Sequence, residues 1–321
     1  MRTTLLIALS LATVAAVASR PTPPASLARR VVVTIDDLPA VSRNFRTPED
    51  RDRLTRRLVG AIVANNVPAV GFVNEGKIHR DGVADSAGVE LLRQWTRAGL
   101  ELGNHGFSHL DLHAVPVDSF LADVARGDVV TRRLMAEAGG TPRYFRHPYL
   151  HSGRSLADRA RVDSLLAARG YRVAPVTIDN GDYIFAAAYD DALARRDSAA
   201  ARRIGDTYIA YMDRVFAYYD RQTTAIVGRD FPHVLLIHAN MLNADRFGDL
   251  ARMIRSRGYA FARLDDALAD SVYTSADTYV GAGGISWLHR WAITRGVPGS
   301  TFAGEPEVPA DIVAAERAGR R

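Results

Sequence analysis

Two adjacent carboxylates, Asp36 and Asp37, end the apolar run Val31-Val32-Val33-Thr34-Ile35, and two histidines four apart follow later in Asn104-His105-Gly106-Phe107-Ser108-His109. Two like charges at the end of a buried strand are costly unless a cation or a partner offsets them. If the histidine segment is helical or a tight loop, the imidazoles of His105 and His109 converge on one side and can share a metal. Asp37 then supplies an oxygen ligand. Two histidines and one carboxylate leave coordination positions open, the pattern of a catalytic rather than a structural ion. The chain has no cysteine, so thiolate ligands and disulfides are excluded. Such a donor set accepts zinc, cobalt, iron or nickel according to geometry and supply.

Groups of this kind need rigid elements behind them. Short apolar runs alternate with longer amphipathic segments, the signature of repeated strand-helix units and a mostly parallel sheet or barrel. Strands are expected at Arg30 to Ile35, Ala69 to Val73, Leu100 to Gly103, Tyr144 to Arg146, Tyr171 to Val173, Val234 to Ile237 and Ala260 to Ala262. Helices are expected at Glu49 to Asn65, Gly88 to Ala98, Val117 to Ala138, Ser155 to Ala168, Ala199 to Tyr219 and Ala244 to Ser256. Gly99, Gly170 and Gly258 each close a helix before the next strand, as C-cap glycines do. Active sites of such barrels gather where strands end. Asp36, Asp37, His105, Arg146, Asp179 and His238 all fall at or near such ends.

The 321 residues allow one large domain with extensions, and 47% hydrophobic with 24% charged residues is ordinary for a folded globular chain. The net charge of +5 is spread without a basic stripe, so nucleic-acid binding is not indicated. Met1-Arg2, an apolar stretch from Leu5 to Ala18 and a small-residue end at Ala16-Val17-Ala18 have the layout of a secretory signal. The same stretch could stay uncleaved as an anchor, but it is short of the ~20 apolar residues a spanning helix needs. The expected organisation is therefore a signal peptide over 1–18, a linker over 19–29, a catalytic domain over 30–270 with a helical insertion at 186–229, and a C-terminal extension over 271–321. Export to the periplasm or the extracellular space follows, with no stable membrane insertion after cleavage. In the insertion, Tyr208, Tyr211, Phe216, Tyr218 and Tyr219 read either as a sugar-stacking surface or as a core-facing stripe.

Five ordered motifs make the chain resemble the polysaccharide deacetylase family, also called the NodB-homology or carbohydrate esterase family four. They are Thr34-Ile35-Asp36-Asp37, the segment His105 to His109, Phe145-Arg146-His147-Pro148-Tyr149, Asp179-Asn180-Gly181-Asp182-Tyr183 and Leu236-Ile237-His238. The resemblance spans about Arg30 to Leu268 and implies an α/β fold, a distorted (β/α) barrel of about seven parallel strands.

It also implies roles. Asp36 is the general base, and Asp37, His105 and His109 hold a divalent ion, zinc first and cobalt as an alternative. Arg146 orients the base and keeps it ionised, the Tyr149 backbone amide helps hold an oxyanion, and His238 is the general acid. Asp182, or else Asp179, orients His238. The implied activity is removal of acetyl groups from N-acetylated amino sugars of a peptidoglycan- or chitin-like poly- or oligosaccharide. An O-acetyl esterase of the xylan type and a catalytically silent carbohydrate-binding homologue are the alternatives. Four departures from the family pattern bear on the groove. Gly106 replaces serine or threonine, so a loop hydrogen bond is expected to be missing; Tyr183 replaces tryptophan; Ala239 follows His238 where aspartate is common; and Leu150-His151 follows Tyr149 where glycine is usual. His151 reads as a second proton donor or as a rim histidine.

Overall fold

The computed structural model describes residues 29–320, so the expected signal and all of the linker except Arg29 lie outside the described residues. Among the described residues there are nine strands: β1 (Arg29–Leu38), β2 (Val70–Val73), β3 (His79–Arg80), β4 (Val83–Ala84), β5 (Glu101–Asn104), β6 (Tyr144–Phe145), β7 (Arg172–Val173), β8 (His233–His238) and β9 (Tyr259–Phe261). All seven expected strands are among them. They form one parallel sheet in the order β7-β6-β5-β2-β1-β8, with β9 on the start of β1. A parallel bridge between Ile178 and Leu235 joins the chain beyond β7 to β8, which curls the sheet into a distorted barrel. The hairpin of β3 and β4 was not expected, because two-residue strands carry no periodicity.

The helices are α1 (Pro48–Ala64), α2 (Ser86–Arg97), α3 (Val117–Arg126), α4 (Val129–Glu137), α5 (Leu156–Ala168), α6 (Asp182–Ala194), α7 (Ser198–Val227), α8 (Met241–Ser256), α9 (Leu264–Leu268), α10 (Trp287–Thr294) and α11 (Ala310–Ala318). The single helix expected from Val117 to Ala138 is broken between α3 and α4. The break has a packing cause: a Cβ on Gly127 would stand 2.5 Å from the Gly106 carbonyl carbon, so only a glycine lets the helices meet the loop that carries His105 and His109. The insertion is two helices, α6 and α7, and begins at Asp182 rather than at residue 186. Tyr208, Tyr211, Phe216, Tyr218 and Tyr219 of α7 are all buried, so the aromatic stripe is core and not a sugar platform.

The core explains the strands. Val31, Val33, Ile35, Leu235 and Ile237 are buried on one face and Val32 and Val234 on the other, as a sheet covered on both faces requires. The C-terminal extension is built into the same body. Trp287 N–H donates to Val176 O at 2.6 Å, and buried Arg290 bonds Ser152 Oγ at 2.6 Å and pairs with Asp277 at 2.6 Å. No described helix is long and apolar enough to cross a membrane.

Candidate active site

Neighbours on a regular strand point to opposite faces. Asp36 and Asp37 nevertheless border the same cavity, of about 640 Å³. The pairing of β1 with β2 slips between Ile35 and Leu38, and Asp37 has φ 72°, so a bulge turns the second carboxylate toward the side of the first. His109 (φ 55°) and Tyr149 (φ 57°) also hold left-handed backbones, which concentrates strain around the cavity.

Asp37, His105 and His109 each offer one ligand atom, all within 4.8 Å of one another. His105 Nδ1 donates to the Arg146 carbonyl at 2.8 Å, which fixes the tautomer and leaves Nε2 with its lone pair free. Burial, with His109 nearby, holds His105 well below the usual imidazole range, and burial likewise lowers His109. Burial would raise Asp37, but Lys77 and the surrounding histidines pull it well below the usual carboxylate range. Neutral imidazoles beside an ionised carboxylate are the donor set a divalent ion requires, so these residues fit the metal that the resemblance implies.

Asp36 is buried beside this set, with Oδ2 3.7 Å from His105 Nε2 and Oδ1 without a hydrogen-bond partner among the described residues. Arg146, fully buried, faces it only at 4.0 Å. The Arg146 guanidinium donates instead to Thr34 Oγ1 at 2.8 Å and lies over the Phe72 ring. Arg146 acts on Asp36 in the direction expected from the sequence, favouring its ionised form, but across 4.0 Å rather than through a hydrogen bond. Desolvation outweighs the pull of Arg146 and His238 and raises Asp36 to about 6.

His238 lies opposite Asp36 in the β1–β8 register. Its Nδ1 meets Asp182 Oδ1 at 2.7 Å, and Asp179 makes no bond to it, so Asp182 is the orienting carboxylate of the two alternatives. Burial alone would lower His238, but Asp182 overrides it and raises the imidazole to about 10. Asn243 donates to Asp182 Oδ2 at 2.7 Å and to His238 O at 2.9 Å, and Asn240 caps α8 beside them. These two asparagines escaped the sequence reading, although an N-cap asparagine directly after a strand end was a usable signal.

The loop of His105 to His109 holds without a serine or threonine at position 106. Gly106 has φ 77°, and the buried Asp123 carboxylate accepts the N–H groups of Phe107 (2.9 Å) and Ser108 (3.0 Å). A side-chain bond from position 106 is absent, and the loop is held instead by these backbone bonds to α3.

Tyr149 and Tyr183 border the cavity with 55% and 59% of their surface exposed. His151 lies on the same wall, its Nδ1 2.7 Å from Asp111 Oδ1. His113 stacks on His151 at 4.0 Å with the ring planes 7° apart; no ion can lie in both planes, so this trio is not a ready second metal site. The extension contributes Gly284, on which a Cβ would collide with Tyr149 O.

Residues 25–166 match the family model described as polysaccharide deacetylase, so the resemblance read from the motifs holds over that region. No curated protein is significantly similar to the chain. Among solved structures, a chitin deacetylase from the fungal pathogen Colletotrichum lindemuthianum is 20% identical over 76% of this chain and 88% of its own, with a TM-score of 0.52. This likeness shows the shared fold. A family 4 acetyl xylan esterase from Clostridium thermocellum, solved with a cobalt ion, is 20% identical over 75% of this chain and 90% of its own (TM-score 0.46). A CE4 family pseudoenzyme from Bacillus anthracis is 14% identical over 75% and 66% respectively (TM-score 0.46).

Proposed function

With the polysaccharide deacetylase resemblance as premise, we propose that this protein is an exported, metal-dependent hydrolase that removes acetyl groups from N-acetylated amino sugars of a poly- or oligosaccharide. The observation that carries this reading is the convergence on one cavity of the ligand set Asp37, His105 and His109 with buried Asp36 and, opposite it in the strand register, His238 held by Asp182 at 2.7 Å.

Asp37, His105 and His109 would hold the ion, which supplies Lewis acidity by polarising an acyl carbonyl and acidifying water. Asp36 takes the proton from the attacking water; a base raised toward neutrality is stronger than an ordinary carboxylate and still ionised above about pH 6. His238, kept protonated by Asp182, gives its proton to the departing nitrogen. Water and amide thereby become acetate and free amine. An amine is a poor leaving group without that proton, whereas an alkoxide leaves more readily, so the strongly held acid favours N-acetyl over O-acetyl substrates. The exposed Tyr149 and Tyr183 rings suit stacking on sugar faces, and the Tyr149 backbone amide is the candidate oxyanion donor.

Acetate release from N-acetylglucosamine oligomers, with and without chelator, tests the reading. Loss of release on chelation, restored by zinc or cobalt, is expected. No acetate from any N- or O-acetylated glycan with either ion added would leave only the carbohydrate-binding alternative.

A further inference from the structure

Of the 41 basic residues counted as lysine plus arginine, a single one is a lysine, Lys77. The ion pairs among the described residues otherwise use arginine or histidine. That one ammonium bonds Asp37, with Nζ 2.8 Å from Oδ1 and 3.1 Å from the backbone carbonyl.

The turn that carries it is tied down at each residue. Asn74 donates from its side chain to His105 O at 2.7 Å and from its backbone to Leu38 O at 3.1 Å. The fully buried Glu75 carboxylate accepts the N–H groups of Val130 (3.1 Å) and Thr131 (2.6 Å) at the start of α4, where a helix favours negative charge. Gly76 donates to Phe107 O at 2.9 Å, and a Cβ there would stand 2.6 Å from that oxygen. The segment 74–77 thus bridges the strand end of Asp37 and the loop of His105 and His109, and presents one cation at their junction.

We propose that Lys77 is a resident cation of the metal centre: it holds the Asp37 carboxylate when no ion is bound and competes with a divalent ion for it. Oδ1, the oxygen that meets Lys77, is also the one 3.9 Å from His109 Nε2, on the side where the ligand atoms converge. The ammonium reaches both the carboxylate and the backbone carbonyl of Asp37, a two-point contact on one residue. Lys77 is a positioning residue, and it offsets the like charges of Asp36 and Asp37. Its positive charge opposes the entry of a second cation, so the preformed site comes with weakened affinity. The inference rests on the reading of Asp37, His105 and His109 as metal ligands.

The test is Co2+ titration of the metal-free protein, followed by visible absorption, for wild type, Lys77→Met and Lys77→Arg, with melting of each metal-free form. Lys77→Met is expected to bind Co2+ tighter by about tenfold or more, as removal of a contact-range charge repulsion predicts, and to melt lower without metal. Lys77→Arg, which keeps the charge, is expected to bind like wild type. Should Lys77→Met not fold, Lys77→Gln is the neutral comparison. A neutral variant that melts lower without binding tighter overturns the inference and leaves a purely structural lysine, as does an arginine variant as tight as the neutral one. Absence of Co2+ binding in every variant overturns the metal-ligand reading itself.

Discussion

Asp182 grips His238 twice: one carboxylate oxygen meets the imidazole Nδ1 at 2.7 Å, and the other accepts the backbone N–H of the same residue at 2.9 Å. Position and charge of the acid are therefore set by one buried group. Replacing Asp182 with Asn is expected to cost about 3 kcal/mol, the scale of breaking a buried pair. The folded value of His238 (about 10) lies above the ordinary 6.5, so the pair's stabilisation is whole below about pH 6.5 and is lost as pH rises through about 10. The melting-temperature gap between wild type and Asp182→Asn should be widest near pH 6 and narrow toward pH 10.

Kinetics should carry the same signature. Activity rises as Asp36 loses its proton and falls as His238 loses its own, giving limbs near 6 and 10 that a bound cation moves down together. In Asp182→Asn the alkaline limb should retreat further, toward or below the ordinary imidazole value. A limb that the substitution does not move would remove His238 from the acid role.

Asp36→Asn is expected to lower kcat by about 10²-fold or more, the usual worth of a positioned base, while metal content is unchanged. Substantial activity in this variant would mean that another group activates the water.

Chelation should abolish acetate release while circular dichroism and most of the thermal stability persist, because the turn at 74–77 and the Arg146 carbonyl hold the ligand residues without an ion. Unfolding on metal removal would instead mark a structural ion.

Gly106→Ser, which restores a side chain at that position, is expected to destabilise the fold by about 1–2 kcal/mol through its left-handed backbone. The added Cβ would also stand 2.9 Å from Asp123 Oδ2, within the bonds that shape the loop. Urea unfolding of the variant measures both effects together.

The seven strands were legible because parallel strands buried on both faces are unbroken apolar runs, and Val31 to Ile35 or Val234 to Ile237 are hard to read otherwise. The split between α3 and α4 was not legible, since its cause is the approach of Gly127 to Gly106, a contact across sequence. The ligand set and the acid were readable from residue types at strand ends. The looseness of the Arg146–Asp36 pair was not, because it depends on whether desolvation or charge prevails. Lys77 left a signal in composition alone, and Gly284 left none, as nothing local tells which glycine will meet a distant carbonyl.

Gly284 bears on how the cavity is distributed along the chain. Asp36, His105 and His238 line it from strand ends and the loops that follow, whereas another part of the wall comes from Gly284, beyond all three in sequence. The Arg290 contact that braces the loop of Ser152 belongs to the same segment. A chain cut between His238 and Gly284 would hold the ligand set, the base and the acid and still lack part of the wall, so the groups that do the chemistry and the segment that helps enclose them are separable in sequence.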